Sequence, residues 1–451
     1  MHRRAFLKTS TGLAAASAML GARPAASQAK TELVLVLTGD VILSRRVSQL
    51  TDERFLDVAR WLQTADCTFG NCEMVIAAPD EGLPSAAGAS LSVVNRPYIA
   101  DELRWLGYDV MGTSNNHSLD YGHGGVRATL AHLERRAIAG AGTGANLQEA
   151  AAPRYCDTPS GRVALIGCSS TNAPHAPAVY ARGDYPGVPG VNAIRPVRRY
   201  VLPQRLFDSV REAGAALATP LVQPPAQPSP TSTTFMGNTF VSGTTADLQS
   251  SPHPDDLERM TKHVAVARRN ARLVLVSIHA HEIHRALDNP EPFVPTLAKA
   301  CIDAGADVFI THGTHLVAGI EIYKGKPIFY GLGDFVFQFE TVPGYAADVY
   351  QAYGLDPQAL DPMEASAHVP LRGGRGLWET VVPRLRYDGE RLLSVDVHPV
   401  TLGMDLPRAE RGTPIAARPD DAERIVAGLA ALSKGFGTEV RWTGAVGTVH
   451  L

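Results

Sequence analysis

The residues best suited to chemistry stand where short apolar runs stop. Runs at 33–37, 110–112, 273–278 and 307–310 pass directly into Thr38-Gly39-Asp40, Thr113-Ser114-Asn115-Asn116-His117, His279-Ala280-His281-Glu282 and Thr311-His312-Gly313-Thr314-His315. A fifth cluster, Asn71-Cys72-Glu73, follows a helix expected over 52–64. Seven of the 15 histidines lie in or beside three of these clusters, a bunching that scattered core histidines would not produce. Imidazole, carboxylate and amide oxygen together suit divalent Zn, Mn, Fe or Co rather than metals that prefer thiolate. Asp40, Glu73, Asn116, His117, His279, His312 and His315 supply enough donors for one or two ions, an open position where a water is activated, and a general acid. Each piece alone has an ordinary use, since Gly-Asp closes turns and Asn caps helices. Five such endings in one chain point to a divalent-metal hydrolytic centre.

Positioning these clusters requires strands whose ends share one edge. Apolar β-branched runs, also found at 163–167 and 327–330, alternate with helix-like stretches at 52–64, 127–136, 255–270 and 295–304, the pattern of an α/β protein. In such sheets ligands gather at the carboxyl ends of strands. Five prolines fall within 219–234, so this segment carries no core helix or central strand and reads as an exposed insert. From about 343 the chain turns to loops, a strand pair near 378–385 and 392–397, and a helix at 421–433, a small C-terminal extension expected to pack on a catalytic domain spanning 30–342.

The 451 residues balance 42 basic against 45 acidic side chains, leaving no field that would draw nucleic acid. Residues 1–29 combine Arg3-Arg4, Phe6-Leu7-Lys8, a small apolar run and a short-side-chain stretch ending at Ala29, the order of an export signal of twin-arginine type. Its removal leaves 38 basic against 45 acidic residues, a mature charge of −7. The expected partner is the twin-arginine export machinery, and the expected location periplasmic or extracellular. No other segment has the roughly 18 consecutive apolar residues that span a bilayer. Five cysteines without a CxxC pair support neither a disulfide scaffold nor a zinc ribbon, although Cys67 and Cys72 could meet.

The stretch Ala304-Gly305-Ala306-Asp307 through Thr311-His312-Gly313-Thr314-His315, continuing from Gly319-Ile320-Glu321 to Gly331-Leu332-Gly333-Asp334-Phe335, resembles the CapA or PGA_cap family of poly-gamma-glutamate capsule synthesis proteins, which fold like metallophosphoesterases. Gly39-Asp40, Asn71-Cys72-Glu73 and Asn115-Asn116-His117-Ser118-Leu119-Asp120-Tyr121-Gly122 match further family motifs. The resemblance implies an α/β sandwich of two sheets flanked by helices, with Asp40, Glu73, Asn116, His279, His312 and His315 holding Mn, Zn or Fe. It implies His117, with Asp120 of the same motif, as the catalytic pair. Arg45 and Arg46 are expected to contact anions, and Asn115, His281, Glu282 and Asp334 to contact substrate. Three positions depart from the pattern: Ile42 stands where the wider superfamily has a His, Asp334 replaces an Asn, and Thr311 replaces a Gly. The implied activity is metal-dependent hydrolysis of an anionic polymer's amide bond or of a small phosphoester. The alternative is a polymer-binding assembly factor without turnover.

Overall fold

The computed structural model describes residues 32–85, 92–217, 229–286, 289–342, 347–368 and 373–451. The expected leader and residues 219–228 of the proline-rich stretch lie outside them.

Two sheets face each other. The first takes β1 (Glu32–Ile42), β2 (Cys67–Cys72), β3 (Val110–Gly112) and β4 (Ala139–Ala141). The second takes β5 (Arg154–Thr158), β6 (Gly161–Ser169), β7 (Leu273–His279), β8 (Val308–His312), β9 (Ile320–Tyr323) and β10 (Lys326–Phe329), in the order β9-β10-β8-β7-β6-β5. The chain then returns to the first sheet with β11 (Asp334–Phe337), β12 (Glu379–Asp388), β13 (Arg391–Thr401), β14 (Val440–Trp442) and β15 (Gly447–Val449). That sheet runs β14-β15-β13-β12-β1-β2-β3-β4, with β11 beside the second half of β1.

Alternation along the strands builds the layers. Leu33, Leu35 and Leu37 of β1 point between the sheets and meet Val163 and Leu165 of β6, Leu273 and Leu275 of β7, and Val308 and Ile310 of β8. Val36 and Val41 point outward, onto α1 (Glu53–Gln63) and α2 (Ile99–Leu106) through Phe55, Val58, Leu62 and Leu103. Ala164, Ile166, Val274 and Val276 point the opposite way, onto α4 (Pro254–Arg268) and α5 (Phe293–Asp303), while α3 (Gly122–Glu134) follows β3. A strand buried on both faces reads as a continuous apolar run, which is why the central strands are visible in the sequence. The expected α/β sandwich is therefore what the chain forms. Asp52, expected inside the first helix, is its cap, accepting from the amides of Arg54 and Phe55.

Two parts of the chain are organised differently from the sequence reading. The described end of the proline-rich stretch, residues 229–234, runs into a separate four-stranded sheet of Pro196–Pro203, Ser232–Phe235, Asn238–Gly243 and Asp247–Pro252, with Ser232–Phe235 at its edge. The C-terminal segment does not merely lie on the domain. Strand β12 pairs antiparallel with β1 from Glu32 to Val36, so residues beyond 378 complete the first sheet. Among the described residues no helix is long and apolar enough to cross a membrane.

Candidate metal centre

Parallel register assembles the site. On the first sheet Asp40 lies between Asn71 of β2 and Asp334 of β11, each its direct partner across the ladder. On the second sheet His279 of β7 is the partner of His312 of β8. Two rows of polar side chains thus face one another at the carboxyl edge of the sandwich. Two positions within these rows leave no room for a side chain. A Cβ on Gly39 would lie 1.8 Å from the carbonyl oxygen of Gly333, to which Asp40 N donates at 3.0 Å. Gly313 takes φ +104°, and a Cβ there would lie 2.6 Å from Cδ2 of His281 and 3.0 Å from Nε2 of His279. Two residues on, His315 itself adopts φ +58°, a strained backbone for a non-glycine residue and a mark of sites where geometry is over-determined.

Asp40 accepts from Asn71 Nδ2 at 2.7 Å and from Gly313 N at 3.0 Å. Its Oδ1 lies 3.5 Å from His312 Nδ1 and 3.9 Å from His279 Nδ1. Glu73 Oε1 lies 3.6 Å from His279 Nε2, 3.9 Å from His315 Nε2 and 4.0 Å from His117 Nε2. Asp334 accepts from His315 Nδ1 at 2.8 Å. One ligand atom from each of Asp40, Glu73, His315 and Asp334 falls within 4.8 Å of the others, and Glu73, His281 and His315 form a second such group.

The donor set fits a divalent cation, and the buried atoms say so independently. Both oxygens of Glu73, Oδ1 of Asn116, both ring nitrogens of His312 and Oδ2 of Asp334 are buried without a hydrogen-bond partner. Orphaned buried polar atoms cost on the order of 1–3 kcal/mol each, more when charged, and seldom occur in such numbers at one place. A cation held by Glu73 and Asp334, which share one ligand group, would satisfy their unpartnered oxygens.

The electrostatics agree. Burial, with Asp334 adding to it, lifts the Asp40 carboxyl to about 6, although His315 opposes the rise. Burial and the charge of Asp40 lift Glu73 well above its ordinary value, and burial lifts Asp334. Burial holds His279 well below its ordinary value and lowers His281 and His312 to about 3, so these rings stay neutral with lone pairs available. His315 alone is held high: burial opposes its charge, but Asp334, Glu73 and Asp40 outweigh burial. Three carboxylates with too little positive charge among them form a cation-seeking arrangement.

His117 lies buried at the same edge, its Nδ1 2.7 Å from Asp120 Oδ2, which also accepts from Val93 N at 2.7 Å. Asn115 is occupied structurally: its Nδ2 donates to Cys72 O and its Oδ1 accepts from His117 N, so it shapes the turn that carries His117. His281 Nε2 approaches His279 Nε2 at 2.9 Å. Glu282 accepts from Ser170 Oγ and Thr171 Oγ1 and lies 3.6 Å from Arg198. Two expected anion contacts have other partners. Arg45 donates to the carbonyls of Arg408, Glu410 and Arg411, and Arg46 pairs with Glu102 over the ring of Tyr98. Asn71, absent from the expected site residues, is built into it, bonding Asp40 and lying 3.2 Å from His279 Nδ1. Its signal was present in the Asn71-Cys72-Glu73 cluster.

The fold and this centre define a metallophosphoesterase-type α/β sandwich. Residues 34–339 match the family described as bacterial capsule synthesis protein PGA_cap, within the metallophosphoesterase-like superfamily, and the chain belongs to that family. It is 33% identical over 431 residues to two uncharacterized proteins of Sinorhizobium fredii, y4sH and y4uA, covering 92% of this chain and 93% of theirs. It is 25% identical over 321 residues to the capsule biosynthesis protein CapA of Bacillus anthracis, covering 70% of this chain and 62% of that protein. To the PGA biosynthesis protein CapA of Bacillus subtilis it is 23% identical over 307 residues.

Proposed function

We propose that the protein is an exported, divalent-metal-dependent hydrolase that cleaves a bond of an anionic capsule-type polymer, with a gamma-linked glutamate amide the favoured substrate and a phosphoester the alternative. The observation that carries this reading is the convergence of Asp40, Glu73, His315 and Asp334 within 4.8 Å of one another, with Glu73 and Asp334 oxygens left unpartnered and His117 4.0 Å from Glu73. The relatives named for capsule and PGA biosynthesis supply the substrate class. Asp40, Glu73, Asn116, His279, His312 and His315 would hold one or two ions of Mn, Zn or Fe. Such an ion supplies Lewis-acid polarisation of the scissile group and stabilises the charge that develops on its oxygen.

The remaining work falls to the chain. His117 is tied through Nδ1 to Asp120, which leaves Nε2 as the atom that passes a proton to the leaving group. Asn71 and the Gly313 amide fix both oxygens of Asp40, so the ligand set is oriented before substrate arrives. Arg45 and Arg46, the basic side chains expected as anion contacts, both have protein partners. With a mature charge of −7, recognition of a polyanion then depends on the ions themselves.

The test pairs metal analysis with turnover of poly-gamma-glutamate and of a chromogenic phosphoester. His117→Ala should keep its metal and lose about 10²–10⁴ in rate, whereas Asp40→Ala should lose metal and rate together. Metal-loaded protein that binds polymer tightly, never shortens it and leaves the phosphoester intact would overturn hydrolysis and leave the assembly-factor reading.

A further inference from the structure

The segment that follows β7 carries an imidazole, His281, outside the ligand set that the family resemblance implies. Ala280 N donates to His312 O at 2.8 Å, which carries the ladder one residue past His279. Residues i and i+2 of extended chain share a face, so His281 stands on the same side as His279. The backbone there is anchored without help from the ring. His281 N donates to Thr171 Oγ1 at 2.8 Å, Thr171 Oγ1 donates to Glu282 at 2.9 Å, and Glu282 lies 3.6 Å from Arg198. Gly313, at φ +104°, leaves the space that the ring fills, since a Cβ on it would lie 2.6 Å from His281 Cδ2.

Nε2 of this ring is turned towards the centre. It lies 2.9 Å from His279 Nε2, which itself lies 3.6 Å from Glu73 Oε1. Ligand atoms of Glu73, His281 and His315 all fall within 4.8 Å of one another, and the rings of His281 and His315 meet edge to face with centroids 5.7 Å apart. Two ring nitrogens 2.9 Å apart share either a proton or a cation. A proton between them would leave both buried oxygens of Glu73 unpartnered, whereas a cation draws on the two lone pairs and the carboxylate together. Donors that share a zinc-sized ion at tetrahedral angles sit about 3.4 Å apart for bonds of roughly 2.1 Å. The separations of 2.9 and 3.6 Å fall on either side of that value.

We propose that His281 is a metal ligand and not a substrate contact, forming with Glu73 and His315, and with His279 Nε2 beside them, a nitrogen-rich ion position that takes Zn²⁺ in preference to Mn²⁺. The assignment rests on the metal-dependent reading of the centre and adds to it a ligand and an ion preference. The neighbouring group differs in character, since three of its four members, Asp40, Glu73 and Asp334, are carboxylates. Imidazole suits Zn, whereas oxygen donors suit Mn. The two groups share Glu73 and His315, so the chain offers adjoining positions of unlike preference.

The test titrates chelator-stripped parent and His281→Ala calorimetrically with Zn²⁺ and, separately, with Mn²⁺. Zn²⁺ affinity should fall by more than about 100-fold, beyond the loss typical of removing a group that only orients a ligand. Mn²⁺ affinity should fall by about 10-fold or less. A second measurement needs no variant. His281 is half-buried, so diethyl pyrocarbonate should acylate its ring in the stripped parent, and stoichiometric Zn²⁺ should protect it, as read by mass-spectrometric mapping. If the parent binds Zn²⁺ but His281→Ala binds it as tightly, or if His281 reacts equally with the ion bound, the role given to His281 is overturned and the metal-dependent reading stands. Equal falls for both ions overturn the preference. A parent that binds neither ion overturns both readings together.

Discussion

Asp334 offers the sharpest probe of the centre, because it stands where the family pattern has an Asn and pairs directly with Asp40. In Asp334→Asn the shape is retained and the amide oxygen can still accept from His315 Nδ1, now at 2.8 Å from the carboxylate. What is lost is one negative charge in a cluster whose ligand atoms lie within 4.8 Å of one another. Two unit charges at that separation interact by about 3 kcal/mol at an effective dielectric near 20. The ion-free protein should become more stable by that order at most, since part of the repulsion is already relieved by protonation of the raised carboxyls. Divalent-ion affinity should fall by at least about 100-fold, since the carboxylate lost attracts an ion of twice the unit charge. Calorimetric titration of chelator-stripped protein with Mn²⁺ and Zn²⁺ reads the affinity, and thermal midpoints with and without chelator read the stabilities. If the variant bound ions as tightly as the parent and lost as many degrees on chelation, the carboxylate cluster would not be what holds the cation.

The frame around the centre makes other demands. Gly39→Ala should destabilise the fold by at least about 3 kcal/mol in urea denaturation, because its Cβ meets backbone at 1.8 Å and not a movable side chain. Arg198→Leu strands Glu291, which Arg198 holds at 2.7 and 3.0 Å, together with neighbouring Glu282, and should cost about 3 kcal/mol by the same measurement. His398, whose ring lies tilted 4.4 Å from that of Trp61, is lowered to about 4 by burial and then by Arg384. A depressed imidazole stabilises the fold fully above its unfolded value of 6.5, and that contribution is lost as pH falls through about 4. Between those pH values the parent should therefore lose about 3 kcal/mol more than His398→Gln. Equal pH slopes for the two would remove His398 from the acid response.

What the sequence disclosed and what it hid have physical causes. Strands 33–37 and 273–278 are buried on both faces, so each shows as an apolar run, and the ligands follow because parallel register brings strand ends level. Asp40, His279 and His312 were legible for that reason. The insert sheet was not: Asp247–Pro252 is a polar strand with only its last residue buried, so it shows no apolar run. The fate of Arg45 depends on Glu410, a partner far along the chain that no local pattern announces. Asp334 was seen as a departure from the family motif, but its place beside Asp40 required knowing that β11 returns to β1.

That return has a consequence for how the chain is made. Strand β1 is flanked along its first half by β12, so the partner of Leu33 is Tyr387. Some 350 residues must be synthesised before this pairing can form, about 20–70 s of translation at 5–20 residues per second. Throughout that interval a buried-type apolar strand has one edge open and is a template for misassociation. The first sheet is thus completed only after the segment beyond residue 378 has left the ribosome, and fragments ending near residue 339, where the family match stops, keep the expected metal ligands but lose β12, one of the three strands that flank β1.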